Sequence, residues 1–170
     1  EGAESVKYIL DGYNVIHKVP RLAGLLSRSL QEAREELVRL MSEWRQSRGA
    51  EVVIVFDRNK GSLDGVPVRS SRKVNGVTCV FSAPGIEADD EIIAMIRREK
   101  VPANVRVVTG DGQILNHCKA LGVRTELPSR MFDQTPPKTG KTVASGNSKQ
   151  LSPARENDIT RWYLEQMRSK

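Results

Sequence analysis

The sequence predicts an α/β fold in three layers, with a mostly parallel central sheet and helices on both faces. Three observations predict it. First, the apolar runs in "KYIL", "VVIVF" and "VRVV" are continuous rather than alternating, as strands covered on both faces require. Second, these runs are separated by stretches with helical apolar spacing, such as "SLQEAREELVRLMSEWRQ". Third, the order strand, helix, strand, strand, helix, strand, helix, strand is that of βαβ units. A length of 170 residues accommodates one such domain with a tail.

Residues 7–11 read as the first strand. The helix that follows places Leu30, Ala33, Leu37, Leu40, Met41 and Trp44 on one face, with Ser29 and Glu32 as a capping box and Gly49 as its stop. "EVVIVFD" is the second strand, and "RNKGSLDGVPVRSSRKVNG" a basic, glycine-containing excursion. "VTCVFS" reads as a short strand. "EADDEIIAMIRREK" begins with acids and ends with bases, which suits the helix dipole at both ends. "VRVVTGD" is a further buried strand, "GQILNHCKAL" a helix stopped by Gly122, and "VRTEL" the last strand.

After Phe132 the texture changes. Residues 133–151 are rich in Pro, Gly, Ser, Thr and Lys and read as a linker. Residues 152–170 read as a C-terminal helix with Ser152 as N-cap and Pro153 in its first position; Ile159, Trp162, Tyr163 and Met167 could dock on the domain or on a partner. The division expected is therefore 1–132, 133–151 and 152–170. No apolar run approaches the roughly 18 residues of a membrane span. The chain starts at Glu1 rather than Met, as a trimmed chain or a product freed of a leader does. Cys79 and Cys118 stand alone without metal-type spacing and read as reduced, buried thiols. Net charge is +6. A basic chain with an acidic edge suggests a polyanion partner held through a metal.

That acidic edge comes from where the strands stop. Asp11, Asp57 and Asp111 each fall at the carboxyl end of a separate strand, the end at which open parallel sheets bind ligands. "EADD" adds Glu87, Asp89 and Asp90 before or within the first turn of a helix. Crowded carboxylates raise one another's pKa unless compensated. A hard divalent cation such as Mg²⁺ or Mn²⁺ compensates them, and can also activate water against a phosphodiester. Asn14 stands three residues past Asp11, where it could orient a metal-bound water or a phosphate. Each acid alone also fits a turn or helix cap.

The blocks "LDGYNVIHKVP", "VVIVFD" and the pair "EADDEI" with "VVTGDGQI" resemble the PIN-like nuclease superfamily, and "ILDGYNVI" its NYN branch. The resemblance is to the YacP-like NYN family over about residues 7–132; that family includes a ribosome-associated endoribonuclease of Gram-positive bacteria. It implies a metal-dependent endoribonuclease with Asp11, Asp57, Asp90 and Asp111 as the acidic core and Asn14 beside it. The family does not require an acid at Asp89. Two blocks also resemble flap-type 5′ nucleases, which carry a second Asp where this chain has Gln113; that departure implies one tightly held ion. RNA, single-stranded or messenger, is the implied partner, with a ribosome as a further one. The implied compartment is the bacterial cytoplasm, or a chloroplast or mitochondrion in a eukaryote.

Around the site, Arg58, Lys60, Arg69, Arg72 and Lys73 leave directly from a site strand and could hold the RNA backbone. Tyr13 fits base stacking or partial burial equally. His17 and His117 read as structural or surface residues. "PPKTGKT" lacks the first glycine of a phosphate loop, having Thr135 there. A receiver domain or a haloacid-dehalogenase-type phosphatase needs paired acids after the first strand, and here Asp11 is followed by Gly12 and Tyr13. The alternative to an enzyme is an RNA- or ribosome-binding module with little catalysis.

Overall fold

A computed structural model describes residues 5–58 and 70–133. Of the expected linker, 133–151, only Asp133 is described, and it closes a short helix; the rest of the linker and the C-terminal helix lie outside the described residues. So do Lys60 and Arg69.

Six strands form one sheet in the order β3-β4-β2-β1-β5-β6. They are β1 (Lys7–Asp11), β2 (Glu51–Phe56), β3 (Ser70–Val74), β4 (Val77–Phe81), β5 (Val105–Val108) and β6 (Arg124–Glu126). All neighbours are parallel except β3, which runs antiparallel to β4. The helices are α1 (Gly12–Lys18), α2 (Pro20–Ala23), α3 (Leu30–Arg48), α4 (Ala88–Arg98), α5 (Gly112–Leu121) and α6 (Pro128–Asp133). The three-layer, mostly parallel reading is borne out. Among the described residues no helix is long and apolar enough to cross a membrane.

Strand alternation assigns the two faces. Ile9, Val53, Val55, Val80, Val105 and Val107 form one core with Ala88, Ile92 and Ile96 of α4 and Ile114 and Cys118 of α5. Burying each of the larger aliphatic side chains contributes about 1.5–3 kcal/mol. On the opposite face Tyr8, Leu10, Val52, Ile54 and Phe56 meet α1 and α3: Tyr8 packs edge-on against Trp44, and Tyr13 against Phe56.

The punctuation of α3 is as expected. The Ser29 hydroxyl accepts from the Glu32 N–H at 2.9 Å, and Gly49 adopts φ 62° at the stop. Its buried face differs, however. Arg34, Val38 and Ser42 are buried, while Leu30 and Leu40 are only half-buried. Arg34 is retained inside because its Nη1 donates to the Tyr13 hydroxyl at 2.9 Å, a partner 21 residues away.

Besides the short helices α2 and α6, two further elements depart from the sequence reading. The basic excursion ends in β3, turned into β4 by Asn75 (φ 49°) and Gly76 (φ 82°). Two central residues with positive φ make the tight hairpin turn that Asn-Gly favours. Ser42 of α3 donates to the Asn75 carbonyl at 2.9 Å, pinning that turn. The second is α1, which starts immediately at Gly12 with no loop after β1. A Cβ on Gly12 would stand 2.6 Å from the Phe56 ring and 3.0 Å from the Val55 carbonyl, so only glycine allows the chain to turn there.

Candidate active site

The sheet order makes β2, β1 and β5 consecutive neighbours, so their carboxyl ends share one edge. Asp11 lies in register with Val55, and Leu10 with Val108. Asp57 is therefore one strand over and two residues further out than Asp11, about 5 Å sideways and 7 Å along. Within β1, Asp11 shares the parity of Ile9, on the α4–α5 face, and Asp57 follows directly after β2. They are buried, at 7% and 3% exposure. Asp111 stands two residues beyond the last strand partner's neighbour, half-buried at the start of α5.

Hydrogen bonds join these strand ends. The Asp111 N–H donates to the Thr109 hydroxyl at 3.0 Å, and that hydroxyl donates to Asp11 Oδ2 at 3.1 Å. Thr109 is fully buried. Asp111 Oδ1 accepts from the Gln113 and Ile114 N–H groups at 2.9 and 3.2 Å, so this acid is the N-cap of α5. The Gly110 N–H donates to Asn14 Oδ1 at 2.8 Å. The amide oxygen of Asn14 is thus engaged in holding the loop after β5. Lys18, one turn along α1, lies against the same loop, its Cε 3.8 Å from where a Gly110 Cβ would stand.

The acids of the α4 terminus divide by exposure. Glu87 is the N-cap residue and exposed, Asp90 is exposed, and Asp89 is half-buried. Glu91 is buried at 8% exposure. It was missed in the sequence, yet Ala88, Glu91, Ile92 and Ile96 follow helical spacing along one face, which is the available signal. Thr109 and Lys18 were missed too. Thr109 is visible in "VVTGD" only to a reader asking what satisfies a buried Asp11.

Of the basic residues, Arg58 is buried at 8% exposure, and its N–H donates to the buried Ser82 hydroxyl at 3.2 Å. Arg72 and Lys73 are exposed on the sheet-edge strand β3. Tyr13 is buried at 5%, which removes it as a base-stacking ring. Burial pushes its phenol above the ordinary value against the opposing pull of Arg34, and the charge of Asp57 pushes the same way as burial. His17 and His117 are exposed. Cys79 and Cys118 are free and buried, and burial raises the Cys79 thiol to about 12, so it is inert.

The donor chemistry at this edge is hard carboxylate oxygen, which fits Mg²⁺ or Mn²⁺. Among the described residues no three His, Cys, Asp or Glu side chains are grouped closely enough to cage an ion. Mg²⁺ commonly takes only one or two carboxylates and completes its shell with water and substrate phosphate.

The sequence matches the YacP-like NYN domain over residues 8–169. It is 28% identical over 104 residues to YacP of Bacillus subtilis (strain 168), a match spanning 61% of this chain and 59% of that protein. The fold is similar to the crystal structure of Rae1 (YacP) from Bacillus subtilis, with TM-score 0.61, 21% identity, and coverage of 95% of this chain and 79% of that one. The W164L mutant of Rae1 aligns with TM-score 0.60 and 23% identity over 75% of this chain and 72% of that one. Gly12 closing on Phe56, the acids at three adjacent strand ends and the acidic start of α4 are therefore features of a chain that belongs to the YacP-like NYN domain family, consistent with a PIN-like nuclease domain.

Proposed function

We propose that the chain is a metal-dependent endoribonuclease that hydrolyses RNA phosphodiester bonds at the carboxyl edge of β2, β1 and β5. The observation that carries this reading is the burial of Asp11 and Asp57 at the carboxyl ends of neighbouring strands, with Asp111 past the end of the next strand along. One or two of the carboxylates Asp11, Asp57 and Asp111 at the strand ends and Glu87, Asp89, Asp90 and Glu91 of α4 would bind a Mg²⁺ or Mn²⁺ ion directly, and the others would act through its bound waters. Once bound, the ion supplies a water activated for attack at phosphorus and charge for the leaving oxygen.

The remaining work falls to the protein. Thr109 donates to Asp11 Oδ2 and so helps fix the orientation of that carboxylate. Asn14 fixes the Gly110 peptide, which sets Asp111 relative to α1. Arg72 and Lys73 on β3, with Lys60 and Arg69 of the same segment, hold phosphates flanking the scissile bond. Arg58, being buried, serves the geometry of the β2 end instead.

A second reading, an RNA- or ribosome-binding module with little catalysis, is favoured by one observation: the described acids form no ready-made cage. Incubating a mixed single-stranded and hairpin RNA pool with Mn²⁺, Mg²⁺ or EDTA separates the two. The nuclease reading expects metal-dependent cutting that falls about 100-fold or more in Asp11→Asn and clearly in Asp90→Asn. Cutting that survives EDTA or Asp11→Asn overturns it, and binding without cutting selects the second reading.

A further inference from the structure

The amino ends of the same strands carry a second constellation, on the opposite face. Tyr8, Arg106 and Arg124 are register partners across β1, β5 and β6, so they stand in one row on the side of the sheet that α3 packs against. With strands about 4.8 Å apart, the row is about 10 Å long. Trp44 meets Tyr8 edge-on with ring centroids 4.6 Å apart. The Arg48 guanidinium lies 4.6 Å from the Trp44 ring centroid. The Arg106 guanidinium lies 5.8 Å from the Tyr8 ring, and its Nη1 donates to the Tyr8 hydroxyl at 3.2 Å.

The two rings are a floor rather than a surface, each only 8% exposed. Arg48 and Arg124 are exposed and Arg106 is half-buried. Among the described residues, neither Arg106 nor Arg124 is held in an ion pair. Gathering these guanidinium groups costs repulsion, which the rings beneath Arg48 and Arg106 offset. A guanidinium fixed against a ring keeps N–H donors on its edge, the geometry that grips a phosphate with two parallel bonds. Because the rings are covered, the surface can hold phosphates but cannot stack bases.

We propose that Arg106 and Arg124, with Arg48 on Trp44 beside them, form a second RNA-backbone site, separate from the acidic edge, in which Arg106 and Arg124 hold the strand away from the scissile bond. This rests on the RNA reading above. Tyr8 is three residues from Asp11, about 10 Å along β1, so one RNA reaches both by passing around the β6 side of the sheet, where Arg124 stands. The contacts are to phosphate, so they add affinity without sequence preference.

The test is fluorescence anisotropy in EDTA, using the full chain and a labelled single-stranded RNA of about 20 nucleotides, across a salt series. The variants are Arg106→Gln with Arg124→Gln, the exposed single change Arg124→Glu, and a charge-matched control, Arg97→Gln with Arg98→Gln. The first pair should weaken binding about tenfold and make the salt slope shallower by about 1.4, two contacts at about 0.7 each on a single strand. Arg124→Glu should weaken it in the same direction, and the control should keep the wild-type slope. Unchanged affinity and slope in both Arg124 variants, or an equal loss in the control, overturns this site. If the wild type cuts and binds RNA while those variants bind normally, only the second site is lost. If the wild type binds no RNA at any salt, the RNA reading falls, and this site with it.

Discussion

The carboxyl ends of β1, β2 and β5 lead into Asp11, Asp57 and Thr109, all buried, with the Thr109 hydroxyl bonded across to Asp11 and accepting from the Asp111 N–H. At their amino ends, β1 and β5 carry Lys7, Tyr8 and Arg106, and their contacts are a half-exposed Lys7–Glu99 ion pair and guanidinium groups laid on rings. The difference follows from chain direction. Parallel strands deliver every carboxyl end to one edge, where helix N-termini also begin, so anionic groups and their hydrogen-bond donors accumulate there. The opposite edge receives helix C-termini, and Arg45, Arg48, Arg97 and Arg98 sit in those last turns.

If that contrast is correct, the largest effect comes from the acidic edge. Asp11→Asn should reduce metal-dependent cleavage about 100-fold or more while RNA binding in EDTA stays near wild type. Loss of binding with cleavage would mean the two edges are not separate in function. Gly12→Ala tests whether the edge depends on close packing. Its Cβ overlaps the Phe56 ring, so the variant should lose about 1–3 kcal/mol in denaturant unfolding, and Phe56→Leu should recover part of that loss. A full-size loss in both backgrounds would place the strain elsewhere.

Thr109→Val keeps the shape and removes the link between Asp111 and Asp11. It should cost about 1–3 kcal/mol and weaken Mn²⁺ binding roughly tenfold in a calorimetric titration. Stability lost with metal affinity intact would assign the hydroxyl to folding alone. The smallest effect belongs to the amino edge. Lys7→Met should change stability by less than about 1 kcal/mol, and the difference should shrink in high salt, because a partly exposed pair is screened. A larger, salt-insensitive loss would erase the contrast.

What could be read in the sequence divides along physical lines. β1, β2 and β5 were legible because burial on both faces leaves only apolar residues, and α3 and α5 because Ser29, Gly49 and Gly122 mark their ends. β3 was not, since an edge strand exposed at Ser71, Arg72 and Lys73 has no apolar face to display; its one signal was Asn75-Gly76. α1 was hidden by its length, seven residues starting without a loop. At the site, the acids at the strand ends were visible because topology alone brings them together. Thr109 and the burial of Arg34 and Arg58 were not, because each depends on a neighbour distant in sequence, as Arg34 depends on Tyr13, while Glu91 was marked only by its place on the apolar face of α4.

The hairpin edge has a consequence for behaviour at high concentration. An open sheet ends in strands whose free backbone groups can recruit another molecule's strand and begin a fibre. Here one terminal strand, β6, has only three residues, and the other, β3, displays Arg72 and Lys73 along its length. Two molecules approaching β3 to β3 bring like charges together before any backbone bond forms. If these cations hold RNA as proposed, their charge would also oppose edge-to-edge pairing of the free chain, and RNA bound along β3 would neutralise it while covering the same edge.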